Sequence, residues 1–263
     1  MNLFHEANRR GWDAVSPHWQ AGIEAQGHWR RCHREPELAL LPEERRYLGD
    51  VAGRDVAVLG SGDNLVAFAL AGLGARVTSV DLSAMQLQIA AERARALGLS
   101  IRFVHADVTA LGALATATFD VVYTGGHVAV WVSDLKRYYA EAGRILRPAG
   151  LLLVNEYHPF RRIWKQGVHR LERELSYYDR GPHQYDRADQ APGLAPGTLP
   201  SYNFHWTVSD YVTALLQAGC ELLALEEIGE ARQSWEEAPL EGLPECLLLV
   251  GRKRGATAPG EAG

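Results

Sequence analysis

The sequence predicts an α/β fold in which helices lie on both faces of a mostly parallel sheet. One observation is that short apolar segments alternate with longer segments of helical periodicity through residues 55–154. That alternation is typical of strand–helix–strand units with right-handed crossovers. A second observation is that residues 55–81 read as a strand, a glycine turn, a buried helix and a strand that ends in a carboxylate. This order is typical of folds that bind a nucleoside or dinucleotide cofactor.

The glycine turn is the first candidate ligand site. Gly60 and Gly62 follow the predicted strand Asp55–Leu59 and lack the Cβ atoms that would obstruct a sharp turn and the approach of a ligand. A helix from about residue 65 to 73 then directs its free N–H groups at that ligand. Asp81 stands nineteen residues after Gly62 and ends the next strand. Its carboxylate is placed to accept the hydroxyls of a ribose, so we predict a nucleoside cofactor.

The other elements follow in chain order. Ser83, with Gln86 three residues later, predicts the capped start of a helix that Gly98 ends. The remaining predicted strands are short and apolar, and they are Ile101–Val104, Phe119–Tyr123, Leu151–Val154, Glu221–Ile228 and Cys246–Gly251. The remaining predicted helices are Glu43–Leu48, a helix that begins at Ser133 and ends at Pro148, and Ser209–Ala218.

Two segments lie outside this alternation. In residues 1–48, Trp12, Val15 and Trp19 recur at helical spacing, and Pro17 predicts a break in that helix. The helix either packs its aromatic rings on the domain surface or acts as a lid over cofactor or substrate. In residues 157–206 the alternation of strands and helices stops, and part of this segment is rich in Pro, Gly and Asp. Such a segment predicts an inserted cap. We expect residues 49–252 to form the main domain and residues 253–263 a disordered tail.

Composition narrows the range of functions. The formal net charge of −5 and the lack of a basic domain give no reason to expect a nucleic-acid partner. No run approaches the roughly 20 apolar residues of a membrane span, and the first residues lack the pattern of a signal peptide. The three cysteines are widely spaced, which fits a reducing compartment and neither a zinc ribbon nor a disulfide framework. We expect a soluble, cytoplasmic protein that acts on a small molecule.

Several stretches resemble the class I S-adenosylmethionine-dependent methyltransferases, and specifically the small-molecule group sometimes called type 11. They are Gly60-Ser-Gly62, Asp81-Leu82, Asp107-Val108, Phe119-Asp-Val-Val-Tyr-Thr-Gly-Gly126 and Arg144-Ile-Leu-Arg-Pro-Ala-Gly150. The resemblance implies the Rossmann-like class I methyltransferase fold, a mostly parallel seven-stranded sheet with a final antiparallel strand. It also implies the cofactor S-adenosyl-L-methionine and methyl transfer to an oxygen or nitrogen atom of a small-molecule metabolite.

Two alternatives stay open at this point. An NAD(P)-dependent oxidoreductase shares the opening stretch, although it has no reason to carry Arg147-Pro-Ala-Gly150. The second alternative is a non-catalytic S-adenosylmethionine-binding module. It stays open because Val58 and Asn64 occupy the positions where the family usually has an acid and a third glycine. A nucleic-acid methyltransferase is disfavoured, since the Asn/Asp-Pro-Pro-aromatic motif is absent after the fourth strand.

The resemblance also implies site residues. The cofactor-binding residues are Gly60, Ser61, Gly62, Asn64, Asp81, Leu82, Gln86, Asp107, Val108, Thr124 and Gly125. The predicted substrate residues come from the N-terminal helix and from the segments after the strands, and they are Trp19, His127, Tyr157, Arg161, Tyr202 and Trp206. The candidate catalytic residues are His158, His205 and Glu156. His158 could act as a base or as a hydrogen-bond partner of the substrate, His205 could contact the substrate, and Glu156 could orient a histidine or meet a cationic substrate. No metal site is predicted, because His158, His183 and His205 do not have the spacing of a ligand set.

Overall fold

The computed structural model describes residues 2–229 and 240–255. The strands in this part of the chain are β1 (Asp55–Leu59), β2 (Arg76–Asp81), β3 (Ile101–His105), β4 (Phe119–Gly125), β5 (Leu146–Tyr157), β6 (His183–Asp186), β7 (Pro200–Asn203), β8 (Cys220–Ile228) and β9 (Cys246–Lys253). The α-helices there are α1 (Leu3–Gln26), α2 (Pro42–Leu48), α3 (Leu65–Gly72), α4 (Ala84–Leu97), α5 (Leu135–Ile145) and α6 (Val208–Gln217).

Seven strands form one sheet in the order β3-β2-β1-β4-β5-β9-β8. Strands β1 to β5 pair in parallel, whereas β9 runs antiparallel to both β5 and β8. The predicted mostly parallel seven-stranded sheet with a final antiparallel strand is therefore confirmed. Parallel pairing brings the carboxyl ends of β1, β2, β4 and β5 to one edge of the sheet, where open α/β sheets bind their ligands.

Helices cover both faces of the sheet, since its central strands are apolar on both sides. One face packs on α5 and α6 through fully buried Tyr138, Tyr139 and Leu215. The other face packs on α3, where Leu70 contributes to a second apolar cluster with Val58. These two layers fix the sheet, so the side chains at its carboxyl edge have a rigid support.

Helix α1 is continuous over 24 residues, and the predicted break at Pro17 is wrong. A proline inside a helix removes one N–H donor and costs about 3 kcal/mol. Tertiary packing offsets that cost, because α1 is buried on its sides that contact α4 and the inserted segment (residues 157–206). Ser16, just before the proline, donates its hydroxyl to the carbonyl of Trp12 at 2.5 Å.

The structure revises other predicted boundaries. Helix α5 begins at Leu135 with Asp134 as its N-cap, and it ends at Ile145 rather than at Pro148, which lies in β5. Residues 181–200, which have no hydrophobic period, contain β6 and part of β7, and these two strands form an antiparallel hairpin. Of the predicted tail, Lys253 still belongs to β9, and residues 256–263 lie outside the described residues.

None of the helices in the described part of the chain has the length and apolar character needed to cross a bilayer.

Candidate active site

Asp81 ends β2 beside the glycine turn and is 8% exposed. One carboxylate oxygen accepts the N–H of Gly62 at 2.8 Å, and the other accepts the N–H of Ser83 at 2.8 Å. Burial raises the pKa of Asp81 and the carboxylate of Asp13 acts in the same direction, whereas the backbone N–H groups oppose them. These backbone groups, together with the N–H of Leu82, fix the carboxylate beside the turn, and carboxylate oxygens can accept further hydrogen bonds from ligand hydroxyls.

The glycine turn has the backbone conformation that the sequence predicts. Gly60 and Gly62 have φ of 63° and 50°. A Cβ at Gly60 would meet Val128 at 2.5 Å, whereas one at Gly62 would lie 3.9 Å from the carbonyl oxygen of Gly60. The turn is therefore closely packed on its inner side and has room on its outer side.

Asn64 takes the place of the third glycine by adopting the left-handed conformation itself, with φ of 63°. Its side-chain amide donates to the carbonyl of Gly62 at 2.8 Å and accepts from the hydroxyl of Ser79 at 2.5 Å. Ser61 also bonds Ser79, at 2.7 Å between the two hydroxyl oxygens. The side chains of Asn64 and Ser61 thus stabilise the turn by hydrogen bonds on its inner side.

Asp107, the second predicted cofactor acid, is held by helix α1. Nδ1 of His5 lies 2.7 Å from one carboxylate oxygen, and Thr109 donates its N–H and its hydroxyl to the other. The N–H of Ser133 donates to Nε2 of His5 at 2.9 Å, so in the neutral ring Nδ1 carries the proton and donates to Asp107. Burial tends to raise the pKa of Asp107, but the bonds from His5 and Thr109 outweigh it, and the pKa is lowered.

Helix α1 also contacts the loop after Asp81. Asp13 accepts the hydroxyl of Ser83 at 2.7 Å and the N–H of Met85 at 3.3 Å. Further along, Gln20 donates to the side chain of Gln86. The side chain of Gln86, predicted to bind cofactor, thus faces α1, while its N–H bonds Ser83 at 3.1 Å and caps α4 as predicted.

The other predicted cofactor residues lie at the same edge. Thr124 is fully buried and bonds Tyr138, and Val108 packs in the core beneath. A Cβ at Gly125 would stand 2.4 Å from the hydroxyl oxygen of Tyr123, so only glycine fits there. The carbonyl of Leu82 accepts from the ring of His105 at 2.9 Å.

Glu156 is a fully buried carboxyl group near the end of β5. Its Oε1 accepts the N–H of Ala129 at 3.0 Å, and its Oε2 has no hydrogen-bond partner among residues 2–229 and 240–255. Burial raises the pKa of Glu156 to about 8, since nearby N–H groups and the charge of Arg162 offset only part of the desolvation. A carboxyl group with such a pKa can hold or release a proton near neutral pH.

The two predicted catalytic histidines have different surroundings. Nδ1 of His158 accepts the N–H of Phe160 at 3.2 Å, and Nε2 lies 2.8 Å from a carboxylate oxygen of Glu227. Nδ1 of His205 has no hydrogen-bond partner in the described part of the chain, and its ring lies 4.4 Å from that of His183. Burial, followed by the charges of His183 and Arg162, lowers the pKa of His205 to about 3, so the ring is neutral at neutral pH.

Of the predicted substrate residues, His127 and Tyr157 stack on each other, and the N–H of Tyr157 donates to His127 at 3.0 Å. Arg161 lies with its guanidinium carbon 5.9 Å from the ring of Tyr157. Trp206 donates to the carbonyl of Ala129 at 3.0 Å, next to the N–H that Glu156 accepts.

Tyr202 and Trp19 lie farther out. Tyr202 bonds Asn8 of α1 through its backbone, whereas Trp19 is 39% exposed and packs edge-on against Trp12.

Sequence reasoning did not identify His5, Asp13, Trp131 and Arg187. Each acts through a partner far away in the chain, as His5 and Asp107 do across 102 positions. The helical spacing of α1 did single out Trp12, which packs edge-on against Trp131 with ring centroids 5.5 Å apart.

The fold and the site together define a Rossmann-like protein that binds a nucleoside cofactor at the carboxyl edge of its sheet. The residues present fit such a cofactor, because two fixed carboxylates, Asp81 and Asp107, follow neighbouring strands beside a glycine turn with room on its outer side.

Comparisons with known proteins identify the cofactor. A family model described as a methyltransferase domain matches residues 57–154. The ubiquinone biosynthesis O-methyltransferase of Methylocella silvestris is 31% identical over 174 residues, which are 65% of this chain and 67% of that protein. The crystal structure of an S-adenosylmethionine-dependent methyltransferase from Mesorhizobium loti has a TM-score of 0.62 and 26% identity, over 81% of this chain and 96% of that one.

A putative S-adenosylmethionine-dependent methyltransferase from Listeria monocytogenes shares the fold, with a TM-score of 0.63 and 18% identity over 80% of this chain and 96% of that one. The chain belongs to the class I S-adenosylmethionine-dependent methyltransferases, and its cofactor is S-adenosyl-L-methionine. The oxidoreductase and the non-catalytic module are therefore not retained.

Proposed function

We propose that this protein transfers the methyl group of S-adenosylmethionine to an oxygen atom of a small molecule. Two similar proteins, from Methylocella silvestris and Albidiferax ferrireducens, are named O-methyltransferases, which favours oxygen over nitrogen as the acceptor. The observation that carries the proposal is the unpartnered Oε2 of buried Glu156 near the carboxyl end of β5. A hydroxyl acceptor must lose a proton, and Glu156 is a proton acceptor at the required edge of the sheet.

The bound cofactor supplies an electrophilic methyl group, so the protein has to position the acceptor and exclude water. Asp81 and Asp107 hold the nucleoside end, while Ser61 and Asn64 keep the glycine turn in shape. Ionised Glu156 takes the proton of the acceptor hydroxyl. The neutral ring of His205 orients that hydroxyl, and His158, with both ring nitrogens beside protein groups, positions the loop after β5.

Residues 1–48 form the lid and residues 157–206 the cap over this site. Asn8 supports the assignment, because its fully buried amide donates to the carbonyls of Trp131 and Tyr202 and accepts the N–H of Tyr202. The acceptor contacts include Tyr157, His127, Arg161 and Trp206. Trp12, rather than the exposed Trp19, supplies the lid side of the pocket. The three widely spaced cysteines favour a reducing cytoplasm.

The test is methyl transfer from radiolabelled S-adenosylmethionine to a panel of phenols, alcohols and amines, with the wild type and Glu156→Gln. We expect turnover of a hydroxyl acceptor that rises with pH through about 8, as Glu156 ionises. Glu156→Gln should lower kcat by about 10²- to 10⁴-fold and keep the affinity for S-adenosylhomocysteine. Glu221→Gln, on the exposed surface of β8, is the matched control. Transfer to amines alone, or full activity of Glu156→Gln, would contradict the proposal.

A further inference from the structure

Arg187 is a buried cation that forms no direct ion pair among residues 2–229 and 240–255, although the charge of nearby Asp189 acts on it. It follows β6, is 3% exposed, and donates from Nε to the side chain of Gln190 at 3.1 Å. Its Nη1 has no hydrogen-bond partner in the described part of the chain, and none of the ion pairs there includes it. Burying an unpaired charge is costly, so such groups are normally paired or bind a ligand.

The face of the β6–β7 hairpin next to Arg187 carries further buried polar atoms without partners. Tyr185 pairs with Ser201 across the hairpin, and His183 pairs with Asn203, so these four side chains share one face. Among the described residues, the hydroxyls of Tyr185 and Ser201 and Oδ1 of Asn203 accept or donate no hydrogen bond. Four side chains of one small region thus have a buried polar atom without a hydrogen bond, which is rare in native proteins unless a ligand or water supplies the partner.

Aromatic rings enclose this face. The guanidinium carbon of Arg187 lies 3.9 Å from the ring centroid of Trp12 and 5.3 Å from that of Trp131. The ring of Tyr185 lies 6.1 Å from that of Trp131. Cation–π contact orients the guanidinium but does not replace a hydrogen-bond acceptor.

The region adjoins the cofactor site. Trp131 ends the 3₁₀ turn that follows β4, and the neighbour of Trp12 in α1, Asp13, bonds the loop after Asp81. The hairpin face, α1 and this turn therefore meet beside the carboxyl edge of the sheet.

We propose that Arg187 binds a carboxylate of the methyl acceptor, and that Trp12, Trp131 and Tyr185 pack against an aromatic ring of the same molecule. This inference rests on the proposed function and names the class of acceptor as aryl carboxylic acids. The planar guanidinium matches a carboxylate in two parallel hydrogen bonds, which adds geometric selectivity to charge.

The test compares matched pairs of ligands on the full-length protein saturated with S-adenosylhomocysteine. The probes are benzoate, phenylacetate, 3-phenylpropanoate and their 4-hydroxy forms, each beside its primary amide, with affinity read by calorimetry and tryptophan fluorescence. The variants are Arg187→Gln and Arg187→Lys. Arg180→Gln is the control, since Arg180 lies in the same segment but is paired with Asp210 at 2.9 Å.

We expect at least one acid to bind the wild type about tenfold or more tightly than its amide. Arg187→Gln should abolish that preference, Arg187→Lys should keep part of it, and Arg180→Gln should keep it fully. If no acid in the panel is preferred to its amide, or if Arg187→Gln keeps the preference, the inference is overturned.

The cofactor itself carries a carboxylate, so its affinity is measured in parallel. Unchanged affinity of Arg187→Gln for S-adenosylhomocysteine is expected and also shows that the variant is folded. A loss of that affinity would assign Arg187 to the cofactor carboxylate and overturn the inference. Failure of the wild type to bind S-adenosylhomocysteine would instead contradict the cofactor site on which the proposed function rests.

Discussion

Replacing Glu156 by Gln should stabilise the protein increasingly as pH rises. In the folded state burial raises the pKa of Glu156 to about 8, whereas the unfolded chain has the ordinary value of 4.5. Between these values the folded protein holds a proton that the unfolded chain releases, so the wild type loses stability with rising pH. Gln keeps an oxygen for the N–H of Ala129 and cannot ionise. The stability gained from the substitution should therefore grow by about 2 to 3 kcal/mol between pH 5 and pH 7.

The assay is urea unfolding of wild type and Glu156→Gln at pH 5, 6 and 7, with Glu221→Gln as the exposed control. Each variant is compared with the wild type at the same pH. Titratable groups that do not interact with the substituted residue contribute equally to both unfolding free energies, so their contributions cancel in the difference. A pH-independent difference between Glu156→Gln and wild type would refute the reasoning, because it would mean that Glu156 is ionised in the folded protein. A difference that shrinks as pH rises would show that its pKa is lowered instead.

Two further predictions concern the cofactor acid and the helix above it. Asp81→Ala removes the carboxylate at the end of β2 and should weaken binding of S-adenosylhomocysteine by about 1 to 3 kcal/mol in calorimetry; unchanged affinity would remove Asp81 from the ribose site. Asn8→Ala leaves two buried carbonyls and one N–H without their side-chain partner, so it should lower the unfolding free energy by about 1 to 3 kcal/mol. The control is Arg10→Ala, on the exposed side of α1, which should change the unfolding free energy by no more than about 0.5 kcal/mol. An Asn8→Ala variant as stable as Arg10→Ala would show that α1 is not held at this point.

The core of the fold was predictable because its signals are local. The Gly60–Gly62 turn, the Ser83 cap and the Gly98 stop each occupy a few consecutive residues, and the structure has all three in those roles. Asp81 was predictable for the same reason, since its position follows from the strand that it ends. Asn64 shows the limit of a motif, because a non-glycine residue adopts the conformation that the motif assigns to glycine.

The rest of the site depends on contacts between distant parts of the chain. Pro17 is a local signal for a break, but the burial of α1 overrides it. The Trp12–Arg187–Trp131 arrangement joins three segments, and Arg187 itself lies in a polar stretch without periodicity. Nε2 of His158 lies beside the carboxylate of Glu227, whereas the ring of His205 lies beside that of His183. These neighbours come from distant parts of the fold or from a polar segment, so the sequence could suggest both histidines but could not distinguish their surroundings.

The position of α1 in the chain has a consequence for biosynthesis. Helix α1 precedes all of its partners, and its bond from Asn8 to Tyr202 spans 194 positions. At roughly 5 to 20 residues per second, a ribosome needs about 10 to 40 s to make the intervening chain. During that time α1 has only part of its docking surface, chiefly α4, and an isolated helix of this length that contains a proline is marginal in water. Helix α1 therefore gains its contacts with the inserted segment only after strands β1 to β5 have been made, so the parallel part of the sheet exists before its ligand edge is fully covered.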